Sequence, residues 1–179
     1  VVSFGLLYLM GEQSLAEDTG LPPKEAIDFV KSYKKVMPRV MKWIEQIKKA
    51  VPTKRYVESL FGRKRRFPLI IKGRGGNLFE LQREAVNMPI QSSASDTNLW
   101  QAIKLHKIFK QQYPNVRILT LVHDSIIVEC PDPLLVEVGA LMKKEMEQPP
   151  FRTEVPFKVD LKVGKRWGEE NNLNLEGEL

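Results

Sequence analysis

The chain of 179 residues carries 28 Lys and Arg against 22 Asp and Glu, a net charge of +6, and its 42% apolar residues suffice for one compact unit or two small lobes. The lone Cys130 excludes an internal disulfide, and with His106 and His123 it is too little for a Cys/His zinc site, so any metal chemistry must use oxygen ligands. No apolar stretch approaches the roughly 20 residues of a membrane span, and VVSFGLLYLMG lacks a signal peptide's basic flank and cleavage signature, so a soluble, intracellular protein with no membrane partner is expected.

Residues 1–10 are apolar and compatible with a helix, and Gly11 to Gly20 followed by Leu21-Pro22-Pro23 reads as a short helix and a stop. Pro23 suits the first turn of the next helix, whose apolar face is set by Ile27, Phe29, Val30 and Tyr33. Pro38 restarts a helix with Val40, Met41, Ile44, Ile47 and Val51 on one side. Residues 55–60 alternate as a strand, Phe61-Gly62 signals a turn, and residues 63–71 return as a second strand, giving a basic hairpin that leads into a flexible loop over 72–77.

The charge concentrates on this hairpin. Between Lys54 and Gly76 stand eight basic residues (Lys54, Arg55, Arg63, Lys64, Arg65, Arg66, Lys72, Arg74) against Glu58, a net of +7, which leaves the rest of the chain at −1. A solvated loop is the plain alternative, since charge runs are common. The interleaved Tyr56, Phe61, Phe67 and glycines suit a phosphate backbone better than open water.

Residues 78–86 read as a helix that breaks at Met88-Pro89, and residues 90–113 as the longest helix, with Leu99, Ile103, His106 and Phe109 facing inward. Residues 117–122 and 125–130 are β-rich runs that meet at His123-Asp124 in a hairpin. A helix over 133–146 and a closing strand over 157–163 complete the chain. Helices and hairpins without a strict βαβ alternation point to an α+β fold with a mainly antiparallel sheet.

Three segments hold residues able to do chemistry. In LVHDSIIVE, residues 121–129, Asp124 sits where two apolar strands meet; the alternatives are an aspartate that merely closes a tight turn and a His-Asp metal hydrolase, which needs further histidines. In QREAVNMPIQSSASD, residues 82–96, Arg83, Asn87 and Gln91 recur at intervals of four, and such donors could bond the minor-groove acceptors that every base pair presents alike, although polar residues beside a helix break are often caps. In the first helix Phe4 and Tyr8 share a face, usually a core face, and Gly5 would let a flat base approach the ring.

Together and in order, these segments resemble the C-terminal polymerase portion of the family A, DNA polymerase I-like, DNA polymerases. FGLLY is similar to the second half of motif B on the fingers helix, RYVESLFGRKRRFP to the template-primer segment, REAVNMPIQSSASD to the minor-groove helix, LVHDSIIVE to motif C of the palm, and VDLKVGKRW to the closing strand. The resemblance implies an α+β fold, a helical fingers remnant over 1–50 and a palm over 51–179 with the motif C hairpin. It implies that Phe4 stacks on the incoming dNTP, that Tyr8 occupies the template-base position and that His123 lines the insertion site. Arg63 with Lys64, Arg65 and Arg66 would meet the duplex backbone, and Arg83, Asn87 and Gln91 would follow the minor groove of primer-template DNA. Asp124 would be the catalytic ligand of two Mg2+ ions that activate the primer 3′-OH and neutralise the leaving pyrophosphate. The implied setting is the cytoplasm of a bacterial or phage-infected cell, with an organelle as the other.

The sequence departs from the family pattern in three places. Ser125 stands where a glutamate usually follows the motif C aspartate, and Glu129 is five residues on and on the opposite face of an ideal strand. Leu9 stands where a glycine usually follows the motif B tyrosine. The chain starts inside motif B, so motif A is expected from the preceding region or from a partner polymerase fragment, and the isolated chain is expected to be inactive. The competing expectation is a non-catalytic duplex DNA-binding module, a degenerate palm, which Ser125 favours and His123, Asp124, Phe4 and Tyr8 oppose.

Overall fold

The computed structural model describes residues 2–7, 9–67 and 77–173. The chain divides into two compact units, Val1–Ser93 and Ala94–Leu179. The described residues form six α-helices, one 3-10 turn and three two-stranded antiparallel ladders, an α+β fold.

In the first unit, α1 (Val2–Leu7) leads to α2 (Glu12–Thr19), which Gly20 ends at φ 72°, its N–H returning to the Ala16 carbonyl. Helix α3 (Pro23–Val36) and helix α4 (Pro38–Thr53) each begin on a proline, where the missing N–H costs no helical bond. Leu6, Leu15, Ala26 and Val30 form one small core, with Met10 and Tyr33 against it. The expected inner face of α3 is only half right: Val30 is buried, but Ile27 and Phe29 are 39% and 45% exposed, because the buried line runs through the small Ala26.

A second core lies under the basic hairpin. Strand β1 (Tyr56–Glu58) pairs with β2 (Lys64–Arg66), and Val57 and Phe67 pack with Val51 of α4 and Ala85 of α5 (Leu78–Gln112). The expected second strand is shorter than its sequence pattern: Phe67 is already outside the ladder, and positions 68–71 lie outside the described residues, as do 72–76 of the expected loop.

Helix α5 corrects the expected break at Met88-Pro89. It runs unbroken through Pro89, although an interior proline removes one backbone bond and costs about 3 kcal/mol. Thirty-five residues of helix and the fully buried Ala85 and Val86 hold it together, and the Ser93 hydroxyl donates to the Pro89 carbonyl at 2.5 Å.

In the second unit, β3 (Arg117–Val122) pairs with β4 (Ser125–Glu129), with a register shift between Ile118 and Thr120. A 3-10 turn (Asp132–Leu134) opens α6 (Leu135–Met146). Leu105, Phe109, Val116, Val138 and Met146 form the core, packed by Ile118, Ile126 and Val128 from the hairpin. The inner face expected for α5 is corrected here too. Phe109 is buried, but Leu99 and Ile103 are 44% and 49% exposed and His106 is exposed, while Asn98, Gln101, Ala102 and Leu105 turn inward. Apolar periodicity misplaced the face because two inward positions are amides with carbonyl partners: Asn98 donates to His123 O and Gln101 to Met146 O.

The closing strand is also corrected. Only β5 (Lys162–Val163) is a strand, and it pairs with β6 (Asn171–Asn172), which had no apolar signature. Upstream, Val159 is held by side chains: its carbonyl accepts from Lys143 Nζ at 2.6 Å and its N–H donates to Glu147 Oε1 at 3.2 Å. The Lys143 bond and the Val159 N–H hold the Glu147 carboxyl below its usual range. A depressed carboxylate stabilises the fold above its unfolded pKa, and this contribution is lost as pH falls through the folded value. Acidification from neutral pH to below the ordinary glutamate range should therefore lower the protection of the Val159 amide against hydrogen exchange, measured relative to its intrinsic rate at each pH, and Glu147→Gln should remove that pH dependence.

Candidate nucleic-acid interface

The basic hairpin owes its shape to Ser59. Its hydroxyl accepts from the N–H groups of Phe61 and Arg63, both at 3.2 Å, while Gly62 takes the left-handed turn position at φ 76°. Pairing puts Glu58 opposite Lys64 and Tyr56 opposite Arg66. Lys64 Nζ lies 3.0 Å from Glu58 and 4.9 Å from the Tyr56 ring centroid. Arg65 reaches Glu84 on α5 at 2.5 Å, and the Leu60 N–H donates to Ser93 Oγ at 2.9 Å. Arg63, Lys64, Arg65 and Arg66 are all exposed, so the turn and second strand present a basic rim over the apolar base formed by Val57 and Phe67.

Because α5 is continuous, Arg83, Asn87 and Gln91 stand on one face. Steps of four advance by about 40° beyond a full turn, so the three span roughly 80° of the helix. Arg83 and Gln91 are exposed; Asn87 is half-buried, and its Oδ1 is buried with no partner among the described residues.

In the second unit, His123 and Asp124 are the two loop residues between Val122 and Ser125, which pair directly. His123 has φ 53° and its carbonyl accepts from Asn98 Nδ2 at 3.2 Å. Asp124 and Ser125 are exposed. Glu129 ends β4 opposite Arg117, about 16 Å along the strand from Asp124 at 3.3 Å per residue, so it adds no carboxylate to the turn. Among the described residues no three His, Cys, Asp or Glu gather where they could hold a metal. The donor set at the turn, one exposed carboxylate beside a hydroxyl, suits a hard cation and fits one shared ligand rather than a whole site.

Phe4 lies on α1, its side chain outside what is described, and Tyr8 lies outside the described residues. The space beside Gly5 is filled by Met10: a Cβ built on Gly5 would stand 2.5 Å from Met10 Cε. That packing belongs to the helix end. The Met10 N–H returns to Gly5 O at 2.9 Å and the Leu9 N–H to Leu6 O at 3.2 Å, the paired bonds of a Schellman motif with Leu9 in the left-handed C′ position at φ 63°. Leu9 thus keeps the backbone a glycine would take, at a strain of roughly 1–2 kcal/mol. Leu9→Gly should leave stability within about 0.5 kcal/mol, because relieved strain offsets the half-buried side chain, whereas Leu9→Ile should cost more than about 1 kcal/mol. Urea unfolding of both variants checks this; a loss of about 2 kcal/mol for glycine would mean that Leu9 is unstrained.

Three contributors had no sequence signal as site residues. Glu84 and Ser93 tie the hairpin to α5, and Asn98 ties α5 to the His123-Asp124 turn. Ser93 and Asn98 stand out only as polar residues on buried helical positions, a pattern visible once the face of α5 is known.

Comparison with known proteins gives the family of this chain. The family model described as DNA polymerase family A matches residues 1–169, and the chain belongs to that family. It is 35% identical over 169 residues to the thermostable DNA polymerase I of Thermus filiformis, covering 94% of this chain and 20% of that protein. It is 30% identical to the DNA polymerase of Bacillus phage SP01, covering 98% of this chain and 20% of that one. The chain thus spans about a fifth of the length of these relatives. The polymerase domain of Pol1 from M. smegmatis, solved with DNA primer-template and dNTP, shares the fold with a TM-score of 0.78 at 24% identity, over 87% of this chain and 27% of that one. No described helix is long and apolar enough to cross a membrane.

Proposed function

We propose that this chain is the C-terminal part of a DNA-directed DNA polymerase that transfers a nucleotidyl group from dNTP to a primer 3′-OH on a template. The observation that carries this reading is the exposed Asp124 at a two-residue turn anchored by Asn98, in a chain matched to the family over residues 1–169. Residues 1–50 form the end of the fingers and 51–179 the palm. Arg63, Lys64, Arg65 and Arg66 hold the duplex backbone. Arg83, Asn87 and Gln91 follow the minor groove, where acceptors common to all base pairs report pair geometry and not sequence. Phe4, Tyr8 and His123 hold the nascent pair, and the setting is the cytoplasm of a bacterial or phage-infected cell.

Asp124 is the residue that would hold Mg2+, which when bound supplies Lewis-acid stabilisation of phosphoryl transfer. Asp124 also fixes where the negative charge of the site stands, and His123 lines the pocket beside it. Ser125 adds no second carboxylate, so the turn offers one acidic ligand where two are needed. A segment or partner chain with the motif A aspartate completes the site, and the isolated chain incorporates no nucleotide.

The test is binding of a primer-template duplex by the purified chain across a salt series. Affinity should fall steeply with salt, and Arg66→Ala should lower the log–log slope by about 0.9, the share of one phosphate contact. Lys64→Ala should change it less, because Glu58 already balances that charge. A salt-independent affinity, or nucleotide incorporation by the chain alone with magnesium, would overturn the reading.

A further inference from the structure

We propose that Asn98 is a positioning residue: its carboxamide fixes the peptide between His123 and Asp124, and so the direction in which Asp124 is presented. The consequence for the reaction rests on the polymerase reading; the hold on the turn does not.

The orientation of the Asn98 amide is dictated by its partner. A carbonyl only accepts, so the Nδ2 end must face His123 O, which it does at 3.2 Å from a residue 5% exposed. The Oδ1 end then faces away, buried and without a partner among the described residues. A buried acceptor left open is a net loss that a leucine of similar size would not incur. Stability alone therefore gives no reason for an amide here, whereas the contact to the turn does.

The peptide it grips is the central one of the two-residue loop. His123 has positive φ, and Asp124 is not among the non-glycine residues that do, which is the sign pattern of a II′ turn. The I′ turn shares the positive φ at the first residue and differs by a flip of the central peptide, which carries the second residue to positive φ as well. The loop alone selects neither form strongly, because His123 is not the glycine that II′ favours and His-Asp is not the Asn-Gly that I′ favours. The Asn98 bond holds the carbonyl of the central peptide in one of the two orientations. Asp124 then stays at negative φ, and its carboxylate leaves the turn in one direction. With Ser125 next to it, no neighbouring carboxylate compensates for a misdirected Asp124.

The experiment uses the full 179-residue chain carrying Asn98→Leu, or Asn98→Asp, which keeps the shape but lacks the donor at neutral pH. In the 15N-labelled wild type, Asp124 and Ser125 amides should report one conformer; in both variants they should show millisecond exchange or a changed HN–Hα coupling at Asp124, with the thermal midpoint of Asn98→Leu held or raised. In an enzyme reconstituted with a motif A fragment, kcat should fall about tenfold while the KM for primer-template is unchanged. Unchanged coupling and no exchange at Asp124 in the variants overturns the inference, as does an unchanged kcat when the turn is altered. If Asn98→Leu does not fold, Asn98→Asp decides by the same readouts. No incorporation by the reconstituted wild type would defeat the polymerase reading instead, and the turn measurement would still decide whether Asn98 sets the peptide.

Discussion

Asp124→Ala, in enzyme reconstituted with a chain that supplies motif A, should lower nucleotide incorporation by at least about 10³-fold, or roughly 4 kcal/mol of barrier. The size follows from what surrounds the turn. Ser125 offers a hydroxyl where a second carboxylate would share the load, and Glu129 is at the far end of β4 opposite Arg117. Removing Asp124 therefore removes the only carboxylate of the turn. Folding should be little changed, because Asp124 is exposed and its backbone needs no unusual φ, so the loss must appear in kcat at constant duplex affinity. Asp124→Asn should recover little, since a neutral amide oxygen keeps the shape but loses the charge that a divalent cation requires. Equal incorporation by wild type and Asp124→Ala would take Asp124 out of the chemistry.

How much of this could be read from the residues depended on whether the controlling interaction was local. Pro23 and Pro38 start helices, Gly20 ends one, and the His123-Asp124 turn falls between two β-rich runs, because each rests on neighbouring backbone geometry. Pro89 failed as a breaker because a 35-residue helix with buried Ala85 and Val86 outweighs one missing N–H. The inner face of α5 failed because Asn98 and Gln101 find carbonyl partners 25 and 45 residues away, and no periodicity encodes a partner at that distance. The tail failed for the same reason: Lys143 on α6 and Glu147 just past its end take the place of a neighbouring strand at Val159.

The candidate site divides along the same line. The charge of the hairpin was legible as composition, but not that Lys64 and Arg65 already face Glu58 and Glu84. On a duplex backbone, Lys64 and Arg65 would have to exchange these acid neighbours for phosphate, and so would contribute less to salt-dependent binding than a full charge each. The stripe of Arg83, Asn87 and Gln91 gained from the correction, since an unbroken helix keeps the three donors in line where a break at Pro89 would have turned Gln91 away.

Phe67→Ala should have the largest effect on the fold, a loss of about 3–5 kcal/mol. Phe67 is 3% exposed and packs with Val51, Val57 and Ala85, themselves at most 3% exposed, with Ile47, Leu81 and Met88 around them. Strands of three residues make a hairpin that is not stable on its own. This one is held by its apolar base, by the Phe67 N–H to Arg55 O at 2.8 Å, and by exposed polar ties such as Arg65 to Glu84, worth well under about 1 kcal/mol. Against a typical total of 5–15 kcal/mol, losing the Phe67 ring removes much of what keeps the basic rim in place. Duplex affinity should then fall further for Phe67→Ala than for removal of any single hairpin charge, although no charge is lost. Phe67→Leu, which keeps most of the volume, should cost less than about 1.5 kcal/mol and retain most of the affinity. Urea unfolding paired with duplex titration decides: a cost below about 1 kcal/mol for Phe67→Ala would mean that the hairpin is placed by its charges and not by its core.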